Sequence, residues 1–153
     1  MTLEPKPGLV IRYSYLWVRE ARRGHQEGAK DRPCAIVVAR KLQRSGVWVM
    51  VAPVTHTPPT QDTSAVEIPA ASKDRLGLDP ERSWVIVSEV NTFQWPGYDL
   101  RPVPGGARSF AYGYLDRGTM QRILKTAQEL WRRKQLGLVD REEGAGDGEG
   151  VRG

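Results

Sequence analysis

The amino-acid sequence predicts a small, mainly β (α+β) domain, a curled sheet or barrel of five to seven short strands with one long helix at its C-terminal end. Three observations predict it. Apolar residues come in short runs of strand length, 16 glycines and 11 prolines cut the 153 residues into many turns, and sustained helical spacing occurs in only one place.

Each element follows in order. After Pro7-Gly8, the run LVIRYSYLWV puts Leu9, Ile11, Tyr13, Tyr15 and Trp17 on one side and Arg12 and Ser14 on the other, a strand over 9–18. The charged segment 19–31 has neither period and is expected as a long exposed loop. Pro33 then opens CAIVVA, which QRSG (43–46) turns into VWVMVAPV, a hairpin buried in part on both faces. Prolines and hydroxyls make 55–64 a loop, and it leads to a short strand, 65–69. Ser72 is expected to cap one helical turn closed by Gly77. SWVIVSEV (83–90) is the next strand, 93–109 is too rich in Pro and Gly to be regular, and FAYGYL (110–115) is a brief strand. From Asp116 on, Met120, Ile123, Leu124, Ala127, Leu130 and Trp131 mark one face of a helix, with Gly137 as its expected C-cap and Arg132, Arg133 and Lys134 in its last turn. Trp17, Trp48, Trp84 and Trp131 are assigned to packing.

This length suits one domain, expected over 1–139, with 140–153 as a disordered Gly-rich, acidic tail. The net charge is +5, but the last 14 residues hold five acids and two bases, so residues 1–139 carry +8. That balance favours an acidic or nucleic-acid partner. A single cysteine, Cys34, excludes an intramolecular disulfide and a cysteine-based zinc cage, and two histidines are too few for most catalytic zinc sites. No metal or other cofactor is implied. The apolar stretches are short and interrupted by Arg or Lys, and MTLEPKPG lacks the pattern of a secretion signal, so the expectation is a cytoplasmic chain with no membrane partner.

Three places carry candidate chemistry. Arg32 stands where a charged loop meets a rigid strand, close in sequence to Glu27 and Lys30, a placement that suits a phosphate-binding guanidinium. The alternative is a surface arginine paired with Glu27 or Asp31. Thr55 and His56 end the hairpin, where a hydroxyl and an imidazole can hold a phosphate oxygen or move a proton near pH 7. The alternative is a turn that uses Thr hydroxyls to bond its own backbone. His25 is the weaker histidine, in the charged loop. The third place is Glu89 and Asn91 with Phe93 and Trp95, an acid and an amide beside rings, as in single-strand recognition. There Trp95 could equally plug the core or a dimer interface.

Taken in order, Pro7-Gly8, Gly24 and Glu27 ahead of Arg32-Pro33 and an apolar strand, VAPVT ending at Thr55, the acid Glu89 and the terminal helix resemble the MazF/PemK toxins of type II toxin–antitoxin systems. The resemblance spans most of residues 7–135 and rests on the order of the pieces. It implies an SH3-like barrel that forms a homodimer and cleaves single-stranded RNA without a metal, leaving a 2′,3′-cyclic phosphate and a 5′-hydroxyl. It also implies an acidic antitoxin peptide as partner. Under it, Arg32 stabilises the phosphate and protonates the leaving oxygen, Thr55 binds the scissile phosphate, and Glu27 or Glu89 activates the 2′-hydroxyl. Lys30, Asn91, Trp95 and His25 become RNA- or antitoxin-binding residues. Leu9 stands where the family usually carries an acid, and Gln26 rather than His25 occupies a family histidine position. These departures keep open a catalytically silent barrel of the same fold that binds a protein or nucleic acid.

Overall fold

A computed structural model of the chain describes residues 4–28, 30–42, 46–60, 64–105 and 109–142. The elements run β1 (Leu9–Tyr13), α1 (Val18–Arg22), β2 (Arg32–Lys41), β3 (Val47–Thr55), β4 (Ala65–Glu67), α2 (Ala70–Leu76), β5 (Trp84–Ile86), β6 (Glu89–Trp95), β7 (Ala111–Tyr114), α3 (Arg117–Arg132) and β8 (Gly137–Asp140). The mainly β class with a C-terminal helix is as expected, with eight strands among the described residues rather than five to seven.

The hairpin of β2 and β3 is the centre. Antiparallel pairing runs β4-β5-β3-β2-β1-β7, and β6 pairs with the first half of β3. The β2–β3 pair is buried on both faces because alternate residues feed two cores. Ala35, Val37, Met50, Ala52 and Val54 face α3 through Met120, Ile123 and Ala127. Cys34, Ile36, Val49 and Val51 pack with Leu9, Ile11, Tyr13, Tyr15 and Phe93 on the other side. This explains the unbroken apolar runs. Bulges between Ile36 and Val38 and between Val10 and Ile11 bend the sheet and give it its curl.

Several boundaries differ from expectation. The first strand stops at Tyr13, because the Asn91 carboxamide takes both backbone groups of Leu16 where a neighbouring strand would otherwise pair. The loop expected over 19–31 begins as α1, a single short helix that buries no residue and therefore shows no period. Its start is fixed by Glu20, whose Oε1 accepts the Trp17 N–H at 3.0 Å. Pro69, not Ser72, precedes α2, and Ser72 is buried inside the helix, where its hydroxyl donates to Asp116.

The strand expected over 83–90 is two strands. Thr55 and Val54 pair with β5, whereas Val47 to Val51 pair with β6, so the chain steps along one edge of β3 between them. Consequently β6 runs on through Phe93 and Trp95 into a stretch expected to be irregular. Gly137 does not cap α3. The helix ends at Arg132, Lys134 adopts φ 56°, and Gly137 begins β8, which lies parallel to β6. A Cβ there would sit 3.2 Å from Val18 Cγ2 and 3.4 Å from Glu89 Cβ, so glycine permits the close approach. Trp131, assigned to packing, is instead 63% exposed.

The ordered chain also reaches past the boundary at 139. Arg141 is almost wholly buried, with Nη1 donating to the Ser14 carbonyl at 2.8 Å and Nη2 paired with Asp99 at 3.0 Å. Most of the expected turn at 43–46, and the expected disorder of 143–153, lie outside the described residues.

Candidate functional site

Antiparallel pairing of β2 with β3 sets Cys34 opposite Pro53, so the first residue of one strand, Arg32, lies beside the last of the other, Thr55. Arg32 Nη1 donates to the Val54 carbonyl at 3.2 Å, and its guanidinium carbon lies 5.1 Å from the centre of the Trp17 ring. Arg19 approaches the same ring at 5.0 Å. Arg32 Nε is buried and has no hydrogen-bond partner among the described residues, an arrangement that costs about 1–3 kcal/mol. Burial lowers the Arg32 pKa, and the neighbouring Arg19 charge adds to this, against opposing effects of Cys34, Glu20 and Tyr15.

A cleft of about 220 Å³ opens at this strand end, lined by Lys30, Arg32, Thr55, His56, Lys73 and Asp79 among others. The Thr55 Oγ1 accepts the Thr57 N–H at 3.1 Å, the local turn bond weighed above, which leaves the hydroxyl proton available. His56 is exposed, with Nε2 2.8 Å from Asp79 Oδ2 and Nδ1 3.7 Å from Glu81 Oε1.

Lys73 and Asp79 come from α2 and the turn after it, which Gly77 starts in the left-handed region at φ 73°. The Lys73 side chain is only 5% exposed. Its ammonium donates to Asp79 Oδ1 at 2.9 Å, to Ser83 Oγ at 2.6 Å and to the Glu81 carbonyl. Burial works to raise the Asp79 pKa, but the Lys73 bond and charge, the Glu81 N–H and His56 outweigh it, and the carboxyl is held below its usual range. Neither residue was singled out in the sequence. Lys73 looks there like any solvated helix lysine, and only the fold shows that it points inward.

The remaining candidates separate. Arg32 pairs with neither Glu27 nor Asp31, and the latter sits 3.7 Å from Arg101 instead. Glu27 and His25 are exposed on a different, wider depression of about 700 Å³ between α1 and β8, which shares no lining residue with the cleft. Glu89 is partly buried, and its Oε1 accepts the Val18 N–H at 2.9 Å and the Tyr15 hydroxyl at 3.1 Å. Burial raises its pKa against those bonds and Arg19. Asn91 has no exposed surface, so it cannot touch a nucleic acid in this conformation. Trp95 closes β6 partly buried, stacked on Phe93 with ring centres 6.4 Å apart. Trp17, assigned above to packing, does pack on the second core but also carries the two arginines.

Among the described residues, no three His, Cys, Asp or Glu side chains converge to hold a metal ion, and no helix is long and apolar enough to cross a membrane.

The central hairpin of this curled β domain thus ends in a cleft that gathers Lys30, Arg32, Thr55 and His56. The family model for the PemK-like, MazF-like toxin of type II toxin-antitoxin systems matches residues 14–130, and the chain belongs to that family. It is a toxin-family protein, and that membership implies an antitoxin as its partner. No curated protein matches the sequence.

Proposed function

We propose that the chain is a metal-independent endoribonuclease toxin that acts as a cytoplasmic homodimer and cleaves single-stranded RNA. The observation that carries this is the convergence of the Arg32 guanidinium, the Thr55 hydroxyl and His56 on one cleft. Cleavage through the RNA's own 2′-hydroxyl needs a proton acceptor, a proton donor and positive charge on a dianionic phosphorane. In this reading the 2′-oxygen bonds to phosphorus as its proton passes to His56. The bond from phosphorus to the 5′-oxygen breaks, and Arg32 gives that oxygen a proton. The Arg32 guanidinium and the Thr55 hydroxyl bind the non-bridging oxygens, and exposed Lys30 attracts a neighbouring phosphate. Glu27 and Glu89, the acids weighed as bases, have no part in it, since one lies elsewhere and the other is occupied. The antitoxin would be an acidic peptide competing with RNA for the same positive charge.

The test is incubation of the purified chain with single-stranded RNA in EDTA. Wild type should leave 2′,3′-cyclic phosphate and 5′-hydroxyl ends. Arg32→Ala should lose about 10²–10³-fold in rate, the scale of removing one donor to a developing oxyanion, and Thr55→Ala should also be slowed. Intact RNA at high protein concentration, or cleavage indifferent to Arg32→Ala, would overturn the assignment. The departure of both glutamates from the cleft favours, as a second reading, a barrel that binds RNA or protein without cutting. It predicts RNA binding with no cleavage products.

A further inference from the structure

We infer that Asp79, anchored by the buried Lys73, is a positioning residue that holds His56 in the Nε2–H form and so makes Nδ1 the nitrogen that takes the RNA proton. The inference rests on the reading of this cleft as an RNA-cleaving site. It starts from the hydrogen-bond inventory of the two groups. An ionised carboxylate only accepts, so a neutral imidazole whose Nε2 lies 2.8 Å from Asp79 Oδ2 and 3.0 Å from Oδ1 must carry its proton on that nitrogen. The lone pair is then on Nδ1.

Asp79 could not do this if it wandered or took a proton. Both are opposed, because Oδ1 also accepts from Lys73 Nζ at 2.9 Å and from the Glu81 N–H at 3.1 Å. Lys73 in turn is fixed by Ser83 and the Glu81 carbonyl, so its three ammonium protons are all committed. That commitment settles a second point. Although Lys73 lines the cleft, it has no proton left for a phosphate, and its effect on the reaction passes through Asp79 and His56. Several other charged groups face the imidazole or share its cleft. Glu81 Oε1 is 3.7 Å from Nδ1 on a side chain 70% exposed, beyond a hydrogen bond yet near enough to favour the imidazolium once formed. Arg32 and Lys30 oppose that charge and Asp31 favours it, all three lining the same cleft.

The tautomer can be read without RNA. The chain has two histidines, so His25→Gln assigns the His56 imidazole in long-range proton–nitrogen correlation spectra. At a pH where the ring is neutral, the full-length wild type should show the Nε2–H pattern, and Asp79→Ala should shift it toward a mixture. Asp79→Asn is the gentler variant, keeping the shape and one acceptor beside Lys73. It should lower kcat about 10–100-fold, a fraction of the 10²–10⁴ that general base catalysis supplies, with KM within about twofold. A wild-type Nδ1–H tautomer would overturn the inference whatever happens to RNA. So would Asp79→Asn cleaving at the wild-type rate while His56→Ala is inactive. If instead the ribonuclease reading itself is wrong, the tautomer appears as expected but wild type leaves RNA intact, which rejects the catalytic role and identifies a structural hold.

Discussion

Asn91 sits within β6 with no exposed surface, and its carboxamide meets three partners. Oδ1 accepts from the Leu16 N–H at 2.9 Å and from Arg141 Nη1 at 3.2 Å, while Nδ2 donates to the Leu16 carbonyl at 2.8 Å. In the sequence the same residue, beside an acid and two rings, looked fit to read a base. The difference is burial, which residue type alone does not reveal. Asn91→Ala would strand two backbone groups and part of a buried guanidinium, so it should cost about 2–4 kcal/mol, read as a lower urea midpoint. Cleavage per folded molecule should change little. A variant of normal stability with weakened RNA binding would restore the base-reading role. Arg32, by contrast, lines the cleft beside Thr55. Its position at a loop–strand junction was legible because hairpin geometry alone brings it to Thr55, whereas Lys73 and Asp79 depend on where α2 docks. No local pattern encodes that docking.

At the scale of elements, α3 was the most legible because one helix face is used continuously against one core, so its period survives in the sequence. The elements that escaped notice have no such period. Helix α1 buries nothing, β8 is four residues long, and β5 and β6 read as one run because nothing in the side chains marks the step between pairing partners. The start of α3 also yields a pH prediction. Asp116 accepts from the Thr119 N–H at 3.0 Å, the Thr119 hydroxyl at 2.9 Å and the Ser72 hydroxyl at 2.5 Å, tying α3 to α2. Burial pushes its pKa up, but these bonds outweigh it and hold the carboxyl at about 2, below its ordinary 3.8. A folded pKa below the unfolded one means stability that is complete above the ordinary value and lost as pH falls from there through about 2. Asp116→Ala should therefore cost about 1–2 kcal/mol near pH 6, and the gap from wild type should shrink between pH 4 and pH 2 in urea titrations. A gap constant over that interval would assign the cap to something other than the carboxylate charge.

For the whole molecule, the net charge bears on affinity and not on fold. The fold would stand with a different balance of exposed Lys and Arg, since both cores are apolar and the deeply buried side chains of Lys73 and Arg141 are paired locally. The +8 on residues 1–139 matters once an anionic strand approaches, because each phosphate neutralised releases part of a condensed counterion. In the ribonuclease reading the phosphate contacts are Arg32 and Lys30, which line the cleft, and Arg19, which shares the Trp17 ring with Arg32, since Lys73 is committed to Asp79. Three such contacts predict that log affinity for single-stranded RNA falls with log salt at a slope of about −2, from about −0.7 per phosphate. Lys30→Ala should reduce that slope by about 0.7 and weaken all RNA sequences alike, because an exposed lysine on a phosphate carries no base information. Arg32→Ala should flatten the slope by a similar amount and also slow cleavage about 10²–10³-fold, which separates the two residues by function. Anisotropy titrations of a labelled RNA whose 2′-hydroxyls are methylated, and which therefore cannot be cut, measure the slopes between 50 and 300 mM salt, and cleavage is read separately on unmodified RNA. A slope near zero in wild type would mean that the positive charge of the folded part is not what holds RNA, and would shift the weight to stacking on exposed rings such as Tyr98, which is 96% exposed.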